Sequence, residues 1–208
     1  MTAEPGQKRA IVFVDGQNLF FAAKEAFGLP FPNYDIPKLA KAVCDRQGWN
    51  YLRAQFYTGV PEETDNPFWN HFWMAKLAAM GTRGVRIFRR ALRYRNHTIQ
   101  LPDGQTHSFL VAQEKGIDIR IALDIVHAVR THECDVVLVF SQDQDLSEVA
   151  DEIRMIAKEQ KRWVKMASAF PFSPTSRNRR GIDKTDWIRV ERALYEDCLD
   201  PADYRPKD

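Results

Sequence analysis

Residues 11–27 read IVFVDGQNLFFAAKEAF, and the place where this stretch changes character decides the fold. Ile11 to Val14 is an unbroken apolar run, the composition of a strand covered on both faces. Leu19, Phe20, Ala22, Ala23, Ala26 and Phe27 then recur at helical spacing. Asp15-Gly16 between them would suit a hairpin turn. A hairpin, however, would be followed by alternation, and the helical period argues against it. Asp15 therefore stands at the carboxyl end of a strand that enters a crossover helix. In open α/β sheets that edge is where ligands bind.

The same rhythm continues along the chain. Strands are expected at 10–14, 51–57, 85–88, 135–140, 162–167 and 187–190. Helices are expected at 17–27, 36–46, 66–80, 117–131, 146–159 and 191–198. Such alternation implies an α/β fold with a central, mainly parallel sheet between two helical layers. Residues 89–116 break the rhythm: RYRNHTIQLPDGQTHSF has strand-like patches and turn residues, and is expected to form a β-hairpin insertion. With 208 residues and no long linker, a single domain is expected, its core at about 10–198, with 1–9 and 199–208 flexible.

Composition narrows the function less than the motifs do. Lys plus Arg is 30 against 28 for Asp plus Glu, so overall charge announces no polyanion partner. Cys44, Cys134 and Cys198 are scattered, which suits a reducing compartment. The apolar run ending at Asp15 is too short for a signal sequence, and no stretch approaches a membrane span of about 20 apolar residues. A cytoplasmic protein is expected, with no membrane partner.

Two further stretches bring carboxylates toward the same edge. In VVLVFSQDQDLSEVADEI, Val136–Phe140 is another fully apolar strand, followed by Ser141, Asp143 and Asp145 before a helix. If this strand neighbours the first, its acids meet Asp15 at the switch point of the sheet. Asp145 with Glu148 also fits a capping box, a purely structural role that Asp143 does not share. In EKGIDIRIALDIVHAVR, Asp118 falls in the first helical turn, where a carboxylate also complements the helix dipole. Asp124 lies six residues on, about 120° around the helix. It is expected behind Asp118, holding a neighbour or the helix itself.

VDGQN after the first strand, EKGIDIRIALDIV on a helix and strand–SQDQDL–helix together resemble the NYN domain in its LabA-like branch, part of the PIN-like ribonuclease superfamily. The resemblance covers roughly residues 10–198. It implies a PIN-like, Rossmann-like three-layer sandwich and a metal-dependent endoribonuclease acting on single-stranded or loop RNA. It implies Asp15, Asp118, Asp143 and Asp145 as catalytic carboxylates and metal ligands. Asn18 would orient a carboxylate or a water, with Ser141 and Asp124 in support. Where the family usually has Ser-Gly-Asp, this chain has Gln142, expected to narrow the pocket or reorient the backbone. The alternative is a catalytically weak module on the same fold that binds RNA or protein.

Elementary electrostatics agrees with a metal. Two carboxylates 4 Å apart repel by about 4 kcal/mol at an effective dielectric of 20. Several in one pocket need protons or a divalent cation, and an all-oxygen site selects Mg²⁺ or Mn²⁺. For RNA, Arg86, Arg89, Arg90, Arg93 and Arg95 lie among Phe88 and Tyr94, on segments expected to be irregular. Lys115 and Arg120 flank Asp118, and SRNRRG adds Arg177, Arg179 and Arg180. Phe68, Trp69, Phe72, Trp73 and Leu77 form one helical stripe, for core packing or a homodimer face. His127, His132 and Cys134 lack a fourth zinc ligand. No phosphate-binding or dinucleotide glycine motif occurs. Gln17 stands where a haloacid-dehalogenase-like phosphatase would have a second Asp.

Overall fold

A computed structural model of the protein describes residues 3–101 and 104–207. Its strands are β1 (Lys8–Asp15), β2 (Trp49–Val60), β3 (Arg86–Ala91), β4 (Arg93–Gln100), β5 (Thr106–Gln113), β6 (Val136–Phe140), β7 (Lys165–Pro171) and β8 (Asp186–Val190). Its helices are α1 (Gly16–Phe27), α2 (Ile36–Arg46), α3 (Pro67–Thr82), α4 (Ile117–Arg130), α5 (Ser147–Glu159) and α6 (Arg192–Asp197). Six strands form one sheet in the order β3-β2-β1-β6-β7-β8, every neighbouring pair parallel. β4 and β5 pair antiparallel as a separate hairpin, the expected insertion. Chain order reverses between β1 and β6, so the switch point falls at the ends of the two most apolar strands.

Side-chain alternation in β1 explains the layering. Ala10, Val12 and Val14 join a core under α1, α2, α3 and α6, while Ile11 and Phe13 join another under α4 and α5. α1 starts where it does because Asp15 caps it, accepting from the Asn18 N–H at 3.0 Å. Gly16 is required by close approach: a Cβ there would lie 2.5 Å from the Phe56 ring and 2.9 Å from the Tyr57 carbonyl. The Asp-Gly pair thus serves a tight strand-to-helix passage beside β2.

Three expectations change. β7 begins at Lys165, three residues beyond its expected start, because Lys161 adopts a left-handed conformation that ends α5 and Arg162 turns back to bond the Ala157 carbonyl. The tail, expected to be flexible, is docked through its described residues. Asp200 is buried against Lys76 at 3.6 Å, its N–H donates to the Asn33 carbonyl, and Tyr204 packs edge-on against Phe72. At the other end Lys8 and Arg9 already belong to β1, while residues 1, 2 and 208 lie outside the described residues. Finally, Phe72 and Trp73 are core residues at 3% and 6% exposure, so of the proposed dimer stripe only Phe68 and Trp69 reach the surface.

Candidate active site

The carboxyl ends of β1 and β6 and the start of α4 meet at the switch point. Asp15, from β1, is buried to 4% exposure. Burial pushes its carboxyl up to about 7, and the charges of Asp118 and Asp143 push the same way, against the Asn18 N–H and the Ser141 hydroxyl. Asp118 is likewise raised, by burial and then by Asp143 and Asp145. Three of the expected acids therefore act on one another across three different elements. Asp145, inside the turn after β6, is exposed and reaches the group through its effect on Asp118.

A further acid, half-buried Glu114, was not among the expected residues. It follows the end of β5, three residues before α4, and accepts from the Gly59 N–H at the end of β2. Burial raises its carboxyl to about 7, with Asp15 and Asp118 adding to the rise. Gly59 makes the approach possible, since a Cβ there would sit 2.8 Å from the Glu114 side chain. The signal in the sequence was the first letter of EKGID, a carboxylate two positions ahead of the glycine that opens α4.

The loop after β6 is held from several sides. The Ser141 hydroxyl reaches Asp15 at 3.4 Å and accepts from the Asp143 N–H at 3.1 Å. Asn18 accepts from the Gln142 N–H at 2.9 Å, so its carbonyl clamps this loop to α1. Capping is assigned differently from expectation. Asp143, not Asp145, is the cap: it accepts from the Asp145 N–H at 3.0 Å and opens a 3₁₀ turn, Gln144–Leu146, ahead of α5. α5 begins directly after that turn, at Ser147, with Leu146 and not Asp145 at its N-cap, so no Asp145–Glu148 box forms.

Gln142 does not need a glycine's backbone, and its side chain is engaged by a neighbouring loop. It is not among the residues with positive φ, and its amide donates to the carbonyls of Arg180 at 2.8 Å and Asn178 at 3.4 Å. Gln144 donates to the Gly181 carbonyl at 3.0 Å and accepts from the Asp183 N–H at 3.1 Å. The two glutamines of SQDQD thus hang the arginine-bearing loop 177–183 beside the acids.

The remaining expected residues divide. Asp124 points elsewhere, accepting from the Tyr57 hydroxyl at 2.9 Å and from Arg120 at 3.0 Å. Arg120 is consumed by that pair and by stacking over Phe88 at 5.3 Å. Arg180 pairs with Asp183 at 2.8 Å. Arg86, Arg89, Arg90, Arg93, Arg95, Lys115, Arg177 and Arg179 have no acidic partner within 4 Å among the described residues. Those of the first cluster lie in β3 and β4, ordered strands and not irregular segments.

The donor set suits a hard cation. All four acids offer oxygen, and no cationic side chain is paired with Asp15, Asp118 or Glu114 among the described residues. Among those residues, however, no three His, Cys, Asp or Glu side chains are gathered into a ready metal cage. Mg²⁺ is commonly held by one or two carboxylates, with waters and substrate phosphate completing its shell. The residues fit that open kind of site.

The NYN domain model matches residues 9–176 of the chain. No curated protein matches. Among solved structures, the chain is similar to a protein of unknown function from Vibrio parahaemolyticus RIMD 2210633. The two share 18% identity and a TM-score of 0.55, over 91% of this chain and 97% of the other, a likeness of fold alone. A deacetylase in complex with teicoplanin aligns at a TM-score of 0.28 with 17% identity, over 76% of this chain and 68% of the other, and carries no argument.

Proposed function

The chain belongs to the NYN domain family, and from that premise we propose that it is a divalent-metal-dependent endoribonuclease of the LabA-like branch, cleaving single-stranded or loop RNA in the cytoplasm. The observation that carries the reading is the mutual electrostatic pressure among Asp15, Asp118 and Glu114, with Asp143, at the switch point of the sheet. A hard cation relieves that pressure.

Asp15, Asp118 and Asp143 would hold Mg²⁺ or Mn²⁺, with Asp145 within electrostatic reach of Asp118. Bound there, the ion would supply a Lewis acid for the phosphate and a more acidic water. The chain's own groups do the remainder. Asn18 and Ser141 fix the loop that carries Asp143. Glu114, with its carboxyl at about 7, is able to trade a proton with water near neutral pH. Arg89, Arg93, Arg95, Lys115, Arg177 and Arg179 offer unpaired positive charge to the RNA backbone.

A second reading, an RNA- or protein-binding module with weak catalysis, draws support from the absence of a preformed metal cage among the described residues. Incubating labelled RNA, structured and unstructured, with Mn²⁺, Mg²⁺ or EDTA separates the two. Cleavage that requires metal and disappears in Asp143→Asn is the expected result. Equal, slow cleavage by both proteins would leave the binding module.

A further inference from the structure

On the far side of Asp15 from α4, a hollow of about 350 Å³ opens between α1, α3 and the base of the β4–β5 hairpin. Its rings are Phe20 and Phe21 from α1, Trp69 and Trp73 from α3 and Tyr94 from β4. Phe21 is 57% exposed, an unusual state for a large ring in a chain with ample core to bury it. Phe20 lies 5.3 Å from Phe21 and 6.3 Å from Trp69, ring centre to ring centre, so the rings form a continuous wall.

We propose that this hollow is a stacking site for a nucleobase of single-stranded RNA, one that flanks the phosphate held at the carboxylates. Its position argues for that occupant. The hollow begins at Gln17, two residues after Asp15, and at Gly59, whose N–H is bonded by Glu114. It is therefore continuous with the acid site along the carboxyl edge of β1 and β2. Its volume is near the lower end for ligand sites, roughly 300–1,000 Å³, and suits one flat group better than a helix or loop. The hollow's one charged lining residue is Asp65, so the walls themselves offer a base a face and not a phosphate a partner. Positive charge lies on the strands beside it, with Arg93 and Arg95 flanking Tyr94 in β4 and Arg89 and Arg90 near the end of β3, none of the four in an ion pair among the described residues. An aromatic wall with arginines on the adjoining strands is an arrangement that grips single strands, by stacking bases and neutralising phosphates. Duplex RNA, whose bases are already stacked, has nothing to insert.

The inference rests on the ribonuclease reading for the identity of the polymer, and its test is a binding experiment that needs no cleavage. Metal-free protein in EDTA is titrated against a labelled single strand about ten nucleotides long, and against the same strand with internal abasic nucleotides. The intact strand should bind about tenfold more tightly, as one lost base stack costs. Phe21→Ala with Tyr94→Ala should erase that preference while leaving the salt dependence unchanged, because no phosphate contact is lost. Both rings are at least partly exposed, and the wild-type comparison of the two strands stands even if the double variant folds poorly. Equal binding of the two strands overturns the proposal. So does a variant that folds and keeps the preference, or a dimer of the wild type that Phe21→Ala dissolves. A base preference without metal-dependent cleavage would sink the nuclease reading and leave the stacking site standing.

Discussion

Replacing Asp15 by Asn removes one charge from the centre of the acid site and should make the metal-free protein more stable at neutral pH. The magnitude follows from the carboxyl's rise from 3.8 to about 7. At roughly 1.4 kcal/mol per pH unit, ionising Asp15 in the folded protein costs about 4 kcal/mol relative to the unfolded chain. The sign is set by proton counts. Between about pH 4 and pH 7 the folded protein holds a proton on Asp15 that the unfolded chain has lost. Unfolding free energy from this group is therefore full below pH 4 and declines as pH rises through 7. Between pH 5 and pH 8 the decline amounts to about 2.5 kcal/mol. Urea unfolding of wild type and Asp15→Asn at those two pH values, in EDTA, reads the difference directly. The wild type should lose about that much more stability than the variant on going to pH 8. Asn caps a helix as well as Asp, so the start of α1 is preserved. Mn²⁺ at a hundred times its dissociation constant should return about 2.7 kcal/mol to the wild type and little to the variant. Identical pH slopes for the two proteins would refute the crowding argument, and a full Mn²⁺ response in Asp15→Asn would place the ion elsewhere.

Asp143→Asn should retain its cap on the Asp145 N–H, fold normally, bind RNA and cleave at least about a hundredfold more slowly; Asp145→Asn, exposed and outside any cap, should be milder in the same assay. Arg93→Ala with Arg95→Ala should weaken RNA binding and lower the slope of log affinity against log salt by about 2, with turnover at saturating RNA nearly unchanged; an unaffected affinity at low salt would make these arginines a solvated face. Asp200→Ala should destabilise the protein by about 3–5 kcal/mol in thermal or urea unfolding, because it leaves Lys76, fully buried, without its carboxylate.

Legibility in the sequence tracked how local the governing physics is. β1, β6 and α4 announced themselves because apolar runs and helical period are properties of neighbouring residues. The convergence of Asp15, Asp118 and Asp143 followed once a parallel sheet was inferred, since strand ends must share an edge. Glu114 stayed hidden because its burial depends on Gly59, 55 positions away, and no period marks a carboxylate at the end of a solvated hairpin. The cap passed from Asp145 to Asp143 because a 3₁₀ turn, invisible to a helical pattern, intervenes before α5. Likewise the polar tail gave no sign that it docks, because its anchors are an ion pair with Lys76 in α3 and two isolated apolar side chains, Leu199 and Tyr204, that follow no period. Asn18 was singled out as a group near the chemistry; its carbonyl serves the backbone of Gln142.

The glutamine attachment of loop 177–183 has an evolutionary corollary. Gln142 and Gln144 bond to main-chain carbonyls of Asn178, Arg180 and Gly181 and to the N–H of Asp183. Every residue has a carbonyl, whatever its side chain, so the anchorage is indifferent to most substitutions in the loop. Arg177, whose bond to Glu25 is made by its backbone N–H, can be exchanged for another residue while the loop keeps its place, and exchange of Arg179 forfeits only its own bond to the Ser176 carbonyl. The loop then behaves as a replaceable cassette: its contacts with a bound polymer can drift from one descendant to the next without retuning the acids, and the pair of glutamines is what keeps that drift from becoming a change of shape.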